Sequence, residues 1–315
     1  MTCSCVFHRL FLTVINILYT LVLELNIKKS VMKNIYTFLL LIVFSFVMKA
    51  DVSVSEKSAL VKLYNATNGA NWTSKWDLNA PVSSWYGVVL HEDKVISVQL
   101  PNNNLVGVLP SEISNLVNLK KLNLYKNAIS GTLPSSIGDM KSLESLNLSF
   151  NKLTGSLPTS IGDASSLKNI ELFMNGFSGR IPSEIGKLSN LETLSLYNNE
   201  IEGQIPASLY ELKSLKVLLL NSNKITGNLS QSVSNLINIQ QLSLFDNKMT
   251  GQVPFDLEKL NNLKEMNISY NQFSGLVSKD LSKLDVLNMT MINERGVAEV
   301  LKVSLDRNTA IVSEE

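Results

Sequence analysis

The chain has 315 residues and a formal net charge of +1, because 28 lysine and arginine residues nearly balance 27 acidic ones. This balance gives no electrostatic reason for binding nucleic acid, which basic surfaces favour. The two cysteines, Cys3 and Cys5, lie near the N-terminus, so residues 51–315 contain neither disulfides nor cysteine zinc sites. His8 and His91 are the only histidines, which argues against a histidine-based catalytic or metal cluster.

Two apolar runs, Leu10–Leu23 and Ile35–Met48, dominate the N-terminal segment. Each has about 14 residues, whereas a helix that spans a bilayer needs ~20. The second run follows Met32 closely and has the form of a secretory signal, which suggests Met32 as the true start. The alternative is a start at Met1, with residues 10–48 as an uncleaved anchor or membrane hairpin. In both cases we expect a secreted or cell-surface protein.

The next segment, residues 51–94, combines a predicted helix with a cluster of aromatic residues. Ser55–Tyr64 has helix-start residues followed by apolar residues at helical spacing. All three tryptophans of the chain follow within 14 positions, at Trp72, Trp76 and Trp85. Bulky aromatic side chains can cover the exposed end of a stacked core, so we expect an N-terminal cap. A tryptophan platform for sugar binding is the alternative.

Residues 95–286 repeat with a period of 24 residues, in the pattern L-x-x-L-x-L-x-x-N-x-L-x-G-x-I/L-P. A glycine follows the asparagine of each copy by four positions. The asparagines keep the same register in all eight copies: Asn103, Asn127, Asn151, Asn175, Asn199, Asn223, Asn247 and Asn271.

One copy of the repeat cannot form a stable core without neighbouring copies. The L-x-L segment alternates apolar and polar residues, so one face of a strand is buried. So short a unit cannot bury its apolar side chains alone, and stacked copies must share one core and pair as a parallel sheet. The asparagine amide can satisfy backbone groups of its own turn and of the next coil. Glycine suits a positive φ or a close approach, and proline prevents the following segment from continuing as a helix.

This pattern resembles the leucine-rich repeat, in the plant-type subclass marked by L-x-G-x-I-P. The resemblance implies an α/β solenoid, a right-handed superhelix of eight 24-residue repeats with a parallel concave β-sheet. It implies binding as the usual role but does not identify the ligand. The Trp85–Val88 segment resembles the cap of plant extracellular members, whose cysteines correspond here to Ser83 and Leu90. A cap without disulfides is similar to those of secreted or cell-surface members from bacteria and protists.

The register also predicts which side chains point outward from the concave sheet, in three columns. The centre column lies four residues before the repeated asparagine: Gln99, Asn123, Asn147, Glu171, Ser195, Leu219, Ser243 and Asn267. The flanking column lies two residues before it: Pro101, Tyr125, Ser149, Phe173, Tyr197, Asn221, Phe245 and Ser269. The turn column lies one residue before it: Asn102, Lys126, Phe150, Met174, Asn198, Ser222, Asp246 and Tyr270.

Large apolar side chains are over-represented in these columns, although the fold requires none there. Exposed aromatic residues more often mark a partner surface than a stability device. The alternative is that these rings pack only on their cross-strand neighbours and stiffen the sheet. The predicted ligand-binding residues are Tyr125, Phe150, Phe173, Met174, Tyr197, Phe245, Tyr270, Asn123 and Glu171.

The repeat pattern is lost after Leu287, so residues 287–315 are expected to form a C-terminal cap and tail. Val300, Val303 and Leu305 are the candidates for closing the last coil.

We therefore expect a non-catalytic extracellular or cell-surface module that binds a protein or peptide through the concave sheet. A carbohydrate-binding or glycosidase-inhibitor-like protein is one alternative, and a structural surface or adhesion protein is another. The chain has no phosphate loop, no G-x-S-x-G motif and no fixed carboxylate pair. No catalytic residue, cofactor or metal is therefore expected. Membrane contact is expected only through an uncleaved N-terminal segment, and the oligomeric state is left open.

Overall fold

A computed structural model of the chain describes residues 52–304, except residues 286, 288 and 294. The predicted signal or anchor at residues 10–48 lies outside the described residues, as does Leu305. Within the described part, no helix combines the length and the apolar character needed to cross a membrane.

The predicted N-terminal helix is confirmed and runs over Val54–Ala66. Ser53 caps it, because its Oγ accepts a hydrogen bond from the Glu56 backbone N–H at 3.2 Å. Glu56 is buried, and its carboxylate accepts from the backbone N–H of Val95 at 3.1 Å. This bond ties the helix to the first part of the sheet.

The three tryptophans form a closed aromatic cluster next to this helix. Trp76 lies at the centre, with ring centroids 4.8 Å from Trp72 and 4.8 Å from Trp85. All three side chains are buried. Their indole N–H groups bond to backbone carbonyls, for example Trp76 to Tyr86 at 2.8 Å. The cluster is therefore part of the core, and it presents no exposed ring face to a sugar.

One sheet of nine strands corresponds to the predicted concave sheet and is called the concave sheet below. Its first two strands are antiparallel and the others are parallel. Leu122 lies opposite Leu146, and Leu194 opposite Leu218, so the pairing register is that of the 24-residue period. The strands are Val88–His91, Lys94–Gln99, Lys121–Asn123, Ser145–Asn147, Asn169–Glu171, Thr193–Ser195, Val217–Leu219, Gln241–Ser243 and Glu265–Asn267.

A second sheet is parallel, and each of its strands begins shortly after the repeated asparagine of its coil. This sheet was not predicted from the sequence. Each strand after the first buries one apolar residue, as in Ala128–Gly131 where Ile129 is buried. Gly131 ends that strand with φ at +78°, a conformation that glycine adopts without strain. The strands are Val106–Val108, Ala128–Gly131, Lys152–Gly155, Gly176–Gly179, Glu200–Gly203, Lys224–Asn228, Lys248–Gln252 and Gln272–Ser274.

The outer side of the first seven coils is a short 3₁₀ helix, which begins after the proline or, in the sixth copy, after Ser230. Bonds between residues three apart continue past helix Ser135–Asp139, from Met140 N–H to the Ile137 carbonyl at 3.2 Å and from Leu143 N–H to the Met140 carbonyl at 3.0 Å. The buried residues Ile137, Met140 and Leu143 have the same spacing of three. The coils approach closely here, since a Cβ on Gly138 would lie 2.2 Å from the Ser160 carbonyl oxygen. The 3₁₀ helices are Gly69–Asn71, Val82–Ser84, Ser111–Asn115, Ser135–Asp139, Thr159–Asp163, Ser183–Lys187, Ala207–Glu211, Gln231–Asn235 and Phe255–Lys259.

The C-terminal part closes the stack differently from our expectation. Val300 is 59% exposed and does not close the last coil, whereas Leu301 is buried. The reason is that Val300 belongs to an antiparallel ribbon whose second strand is exposed along its whole length. The elements are strand Leu276–Ser278, helix Lys279–Ser282 and strands Thr290–Ile292, Ala298–Val300 and Lys302–Ser304.

Candidate functional site

The repeated asparagine holds the turn next to the predicted binding face. Asn127 Nδ2 donates to the carbonyl of Leu124 in its own turn and to that of Leu100 in the preceding coil, both at 2.9 Å. Its Oδ1 accepts from the backbone N–H of Leu105, also in the preceding coil, at 3.0 Å. The predicted role in the turn is confirmed. The asparagine bonds to the preceding coil, however, whereas we expected bonds to the following coil from the sequence.

The turn column has an unusual backbone that the sequence did not reveal. All eight residues have positive φ, between 50° and 59°. Such values are uncommon outside glycine and asparagine, and more so for bulky residues such as Phe150 and Tyr270. The bonds from each coil to the next continue through this column, as in Lys126 N–H to the Ser149 carbonyl at 2.9 Å. The coil-to-coil bonding of the sheet therefore extends past the three-residue strands and includes the flanking and turn columns.

Four of the predicted aromatic residues form one continuous row of rings, which we call the aromatic ladder: Tyr125, Phe150, Phe173 and Tyr197. The ring centroids of successive members are 5.4, 5.5 and 4.3 Å apart. Phe150 is 36% exposed and the other three are half-buried. The ladder therefore lies at the surface and offers ring area to a partner.

The remaining predicted apolar residues lie on the same columns but outside the ladder. Phe245 and Tyr270 form a separate pair with ring centroids 5.2 Å apart. The coil between the two groups carries Asn221 and Ser222 instead of rings. Met174 is exposed, and its sulfur accepts from Asn198 Nδ2 at 2.9 Å.

The two polar predicted residues have different surroundings. Asn123 is half-buried and accepts from the backbone N–H of Tyr125 at 3.0 Å, so it shapes the ladder's first turn. Glu171 is half-buried and accepts from Asn147 Nδ2 at 2.6 Å. Burial raises the pKa of Glu171, and the hydrogen bond from Asn147 opposes this shift. Asn147 was missing from the predicted site, although its place in the centre column beside Glu171 was the available signal.

Tyr197 is electrostatically connected to Glu171. Burial raises the pKa of the Tyr197 phenol first, and the charges of Tyr125 and Glu171 raise it further. Tyr197 therefore stays protonated over the physiological range, and its hydroxyl remains a hydrogen-bond donor.

Ion pairs border the concave sheet in an edge column, seven residues before the repeated asparagine. Lys168 bonds to Glu144 at 2.8 Å, and Lys216 bonds to Glu192 at 2.7 Å. The hydrogen bond from Lys168 lowers the pKa of Glu144. These pairs are partly exposed, so each contributes little to the free energy of folding.

The geometry of the face favours binding over chemistry. In the part of the chain that the structure describes, no three His, Cys, Asp or Glu side chains are grouped so that they could hold a metal ion. The face presents rings, amides, hydroxyls and a few charged groups, among them Glu171 and Asp246, which are groups that recognise a partner.

Comparisons with known proteins identify the repeat. A family model described as "Leucine rich repeat" matches residues 94–153 and 118–177, and one described as "Leucine-rich repeat region" matches residues 174–296. Leucine-rich repeat receptor protein kinase EMS1 from Arabidopsis thaliana is 34% identical over 88 residues. That match covers 27% of this chain and 7% of EMS1.

Solved structures show the same architecture. The plant peptide hormone receptor RGFR1, in complex with RGF2, is 28% identical with a TM-score of 0.58; the match covers 66% of this chain and 32% of that one. The leucine-rich-repeat ectodomain of GASSHO1/SCHENGEN3 from Arabidopsis thaliana, in complex with CASPARIAN STRIP INTEGRITY FACTOR 2, is 26% identical with a TM-score of 0.55. It is matched over 65% of this chain and 27% of its own.

The chain thus spans a third or less of the length of each of these relatives. The parallel register of its coils, its asparagine-bonded turns and the matched repeats identify the solenoid that all of them share. The chain belongs to the leucine-rich repeat proteins of the plant type.

Proposed function

We propose that the chain is an extracellular recognition module that binds a peptide or an extended protein segment along the concave face and catalyses no reaction. The aromatic ladder carries this proposal. Its rings contact each other across four coils and still present surface to solvent. A preformed row of rings can bind a partner with little loss of conformational entropy.

The alternative role of the rings is to stiffen the sheet. This role explains the contacts between the rings but not their exposure to solvent. Ring contacts between neighbouring coils do stabilise the sheet. They leave Phe150 and Met174 more than a third exposed, however, in a column where the strained backbone points large side chains outward. A stability device alone has no need of apolar side chains at those two positions.

The similar structures support a peptide as the ligand class. RGFR1 is a peptide hormone receptor in complex with RGF2, and GASSHO1/SCHENGEN3 is in complex with CASPARIAN STRIP INTEGRITY FACTOR 2. We extend this ligand class to the present chain. We place the module outside the cytoplasm, secreted or held at the cell surface through residues 10–48. A cap without cysteines further favours the secreted bacterial and protist type.

A selection with short random peptides tests the proposal. The full chain is used as bait, and the affinity of each selected peptide is then measured for variants. We expect Phe173→Ala and Tyr197→Ala to weaken binding by about tenfold or more. Phe255→Ala is the control, because Phe255 is a ring as exposed as Phe150 but lies on the 3₁₀ side of its coil.

The other outcomes separate the competing functions. Peptides whose affinity does not depend on the ladder would contradict the proposal, as would a failure to select any peptide. Glycans bound through the same rings would favour the carbohydrate-binding alternative. A loss of folding stability in the ladder variants, without any ligand, would favour the structural alternative.

A further inference from the structure

The concave face carries a single charged side chain in its two central columns. The centre and flanking columns together hold sixteen residues, and Glu171 is the only acidic or basic one. Polar but uncharged residues occupy most other places in the centre column. The charge of this carboxylate is therefore isolated within these two columns, and the charged residues of the turn column, Lys126 and Asp246, lie two and three coils away.

The immediate neighbours of Glu171 leave its charge uncompensated. By strand pairing and alternation they are Asn147, Ser195, Asn169 and Phe173, none of which is cationic. Among the described residues, no lysine or arginine forms an ion pair with it.

The hydrogen bonds of Glu171 are also incomplete. Within the described part, Asn147 is the one hydrogen-bond donor to its side chain. The buried hydroxyl of Ser195 has no hydrogen-bond partner there and does not donate to it. A carboxylate can accept about four hydrogen bonds, so the described protein groups take up only a small part of this capacity.

The carboxylates of the edge column provide the contrast. Glu144 and Glu192 are each bonded to a lysine one coil further on. Glu171 is more buried than a surface carboxylate, and burying an unpaired charge is unfavourable. A protein that needed only a polar residue here could use asparagine, as three other positions of the centre column already do.

Rings of the ladder lie in the flanking column next to Glu171. Phe173 lies two residues after Glu171 and is stacked on Tyr197, with centroids 4.3 Å apart. The charges of Glu171 and Tyr125 both reach Tyr197 and raise the pKa of its phenol. One carboxylate and three rings therefore lie close together on an accessible surface. Ring faces attract cations, and a carboxylate attracts them further.

We infer that Glu171, together with the rings of Tyr125, Phe173 and Tyr197, forms a subsite for the cationic side chain of an arginine or lysine in the bound peptide. This inference rests on the proposed function, because the peptide supplies the cation. The guanidinium or ammonium would take the unused acceptor positions of Glu171 and lie against the rings. Peptides that place an acidic group at this position would be rejected.

Two pairs of defined probes test the subsite on the full chain. One pair is acetyl-Gly-Arg-Gly-amide and its citrulline counterpart, which keeps the shape and removes the charge. The other pair is the same tripeptide with lysine and with acetyl-lysine. Binding is followed by chemical-shift titration in wild type, Glu171→Gln and Glu192→Gln.

Glu171→Gln keeps an acceptor for Asn147, so the fold should be retained. Glu192→Gln is the matched control, because it removes a carboxylate one coil away that is already paired with Lys216.

We expect saturable binding of the arginine and lysine probes to wild type and to Glu192→Gln. Removal of the charge from either partner should weaken binding by about tenfold or more. Combining the citrulline probe with Glu171→Gln should cause little further loss. Absence of saturable binding of the cationic probes to wild type would overturn the subsite. The subsite would also be overturned if the arginine and citrulline probes bound with equal affinity. Equal losses of affinity in Glu171→Gln and Glu192→Gln would overturn it as well.

These outcomes are separate from those of the peptide selection. Ladder-dependent peptides without any preference for a cation would leave the proposed function standing and remove the subsite. Charge-dependent binding of the probes, without any selected peptide, would support the subsite and count against peptide recognition.

Discussion

The rings of Phe173 and Tyr197 lie face to face, with centroids 4.3 Å apart and planes inclined by only 11°. The two residues are 24 positions apart in sequence and occupy the same column in adjoining coils. Their stacking therefore connects two repeats at the surface where we place the ligand. A ring pair of this kind adds about 0.5–1.5 kcal/mol beyond the area it buries.

Replacement of Phe173 should affect binding more than folding. We expect Phe173→Ala to lower the free energy of unfolding by about 1–2 kcal/mol, since the ring is half-buried and contacts Phe150 and Tyr197. Urea denaturation measures this change, and Phe255→Ala provides the control. A loss above about 3 kcal/mol would show that the ring acts as a core residue.

The asparagine of a central coil should be far more important for stability. Asn199 is buried and bonds to the carbonyls of Leu172 and Leu196 and to the backbone N–H of Phe177. Asn199→Ala removes all three bonds. The two carbonyls keep a bond from Asn175 and Asn223, whereas the Phe177 N–H loses its side-chain acceptor, so we expect a loss of about 2–4 kcal/mol in urea denaturation.

Asn190→Ala is the control for this prediction. Asn190 is exposed and makes one side-chain hydrogen bond, to the carbonyl of Ser165, so its removal should cost less than about 1 kcal/mol. Equal effects of Asn199→Ala and Asn190→Ala would refute the role assigned to the repeated asparagine.

We expect Asp285 to prevent fraying at the C-terminal end of the concave sheet. Its carboxylate is buried and accepts from the backbone N–H of Ile268 at 2.8 Å and from the Ser269 hydroxyl at 3.0 Å. Asp285→Ala should expose the last concave strand to fraying, because solenoid repeats are stabilised by their neighbours. Hydrogen exchange should rise over residues 265–278 and stay unchanged over 121–147.

Asp139→Ala is the control for the end of the sheet, because Asp139 is exposed on a 3₁₀ helix. Uniform loss of protection along the whole chain after Asp285→Ala would contradict a local role.

Tyr210 should make the folded state sensitive to alkaline pH. Burial raises its pKa to about 12, and the nearby backbone of Ser230 offsets part of this shift without reaching hydrogen-bond geometry. An unfolded tyrosine ionises near pH 10, so between about pH 10 and 12 only the unfolded state loses the proton. The free energy of unfolding should therefore fall as the pH rises through this range.

Tyr210→Phe isolates this effect. Near neutral pH we expect the variant to be as stable as wild type or up to about 1 kcal/mol more stable, because the buried hydroxyl has no partner among the described residues. Above about pH 10 its advantage should grow towards roughly 2 kcal/mol. Urea denaturation at neutral and alkaline pH measures the difference. A difference that is independent of pH would contradict the effect of burial on the phenol.

The features with a fixed period could be predicted from the sequence. The 24-residue spacing of Leu122 and Leu146 predicted their pairing, and the same register assigned Tyr125, Phe173 and Tyr197 to one column. The tryptophans were predicted to cover the end of the core because bulky aromatic side chains suit the exposed end of a stack. Ligand binding by the columns stays a prediction, since position on a face does not identify an occupant.

Other features could not be predicted, because their sequence patterns are typical of other structures or carry no signal. The second sheet was missed because a strand such as Ala128–Gly131 has one buried residue and ends in glycine, a pattern typical of a turn. The positive φ of Phe150 could not be predicted, because a bulky residue disfavours this conformation by itself. Asp285 lies at the very end of the last repeat, where the period does not indicate which side chain bonds to the final concave strand.

The left-handed backbone of the turn column limits how this surface can change during evolution. Its eight members are asparagine, lysine, phenylalanine, methionine, serine, aspartate and tyrosine residues, and none is β-branched. Valine, isoleucine and threonine would be strained at such φ values. New specificities can therefore arise through a smaller set of amino acids in this column than in the flanking one. A library built to retarget the protein should be restricted accordingly.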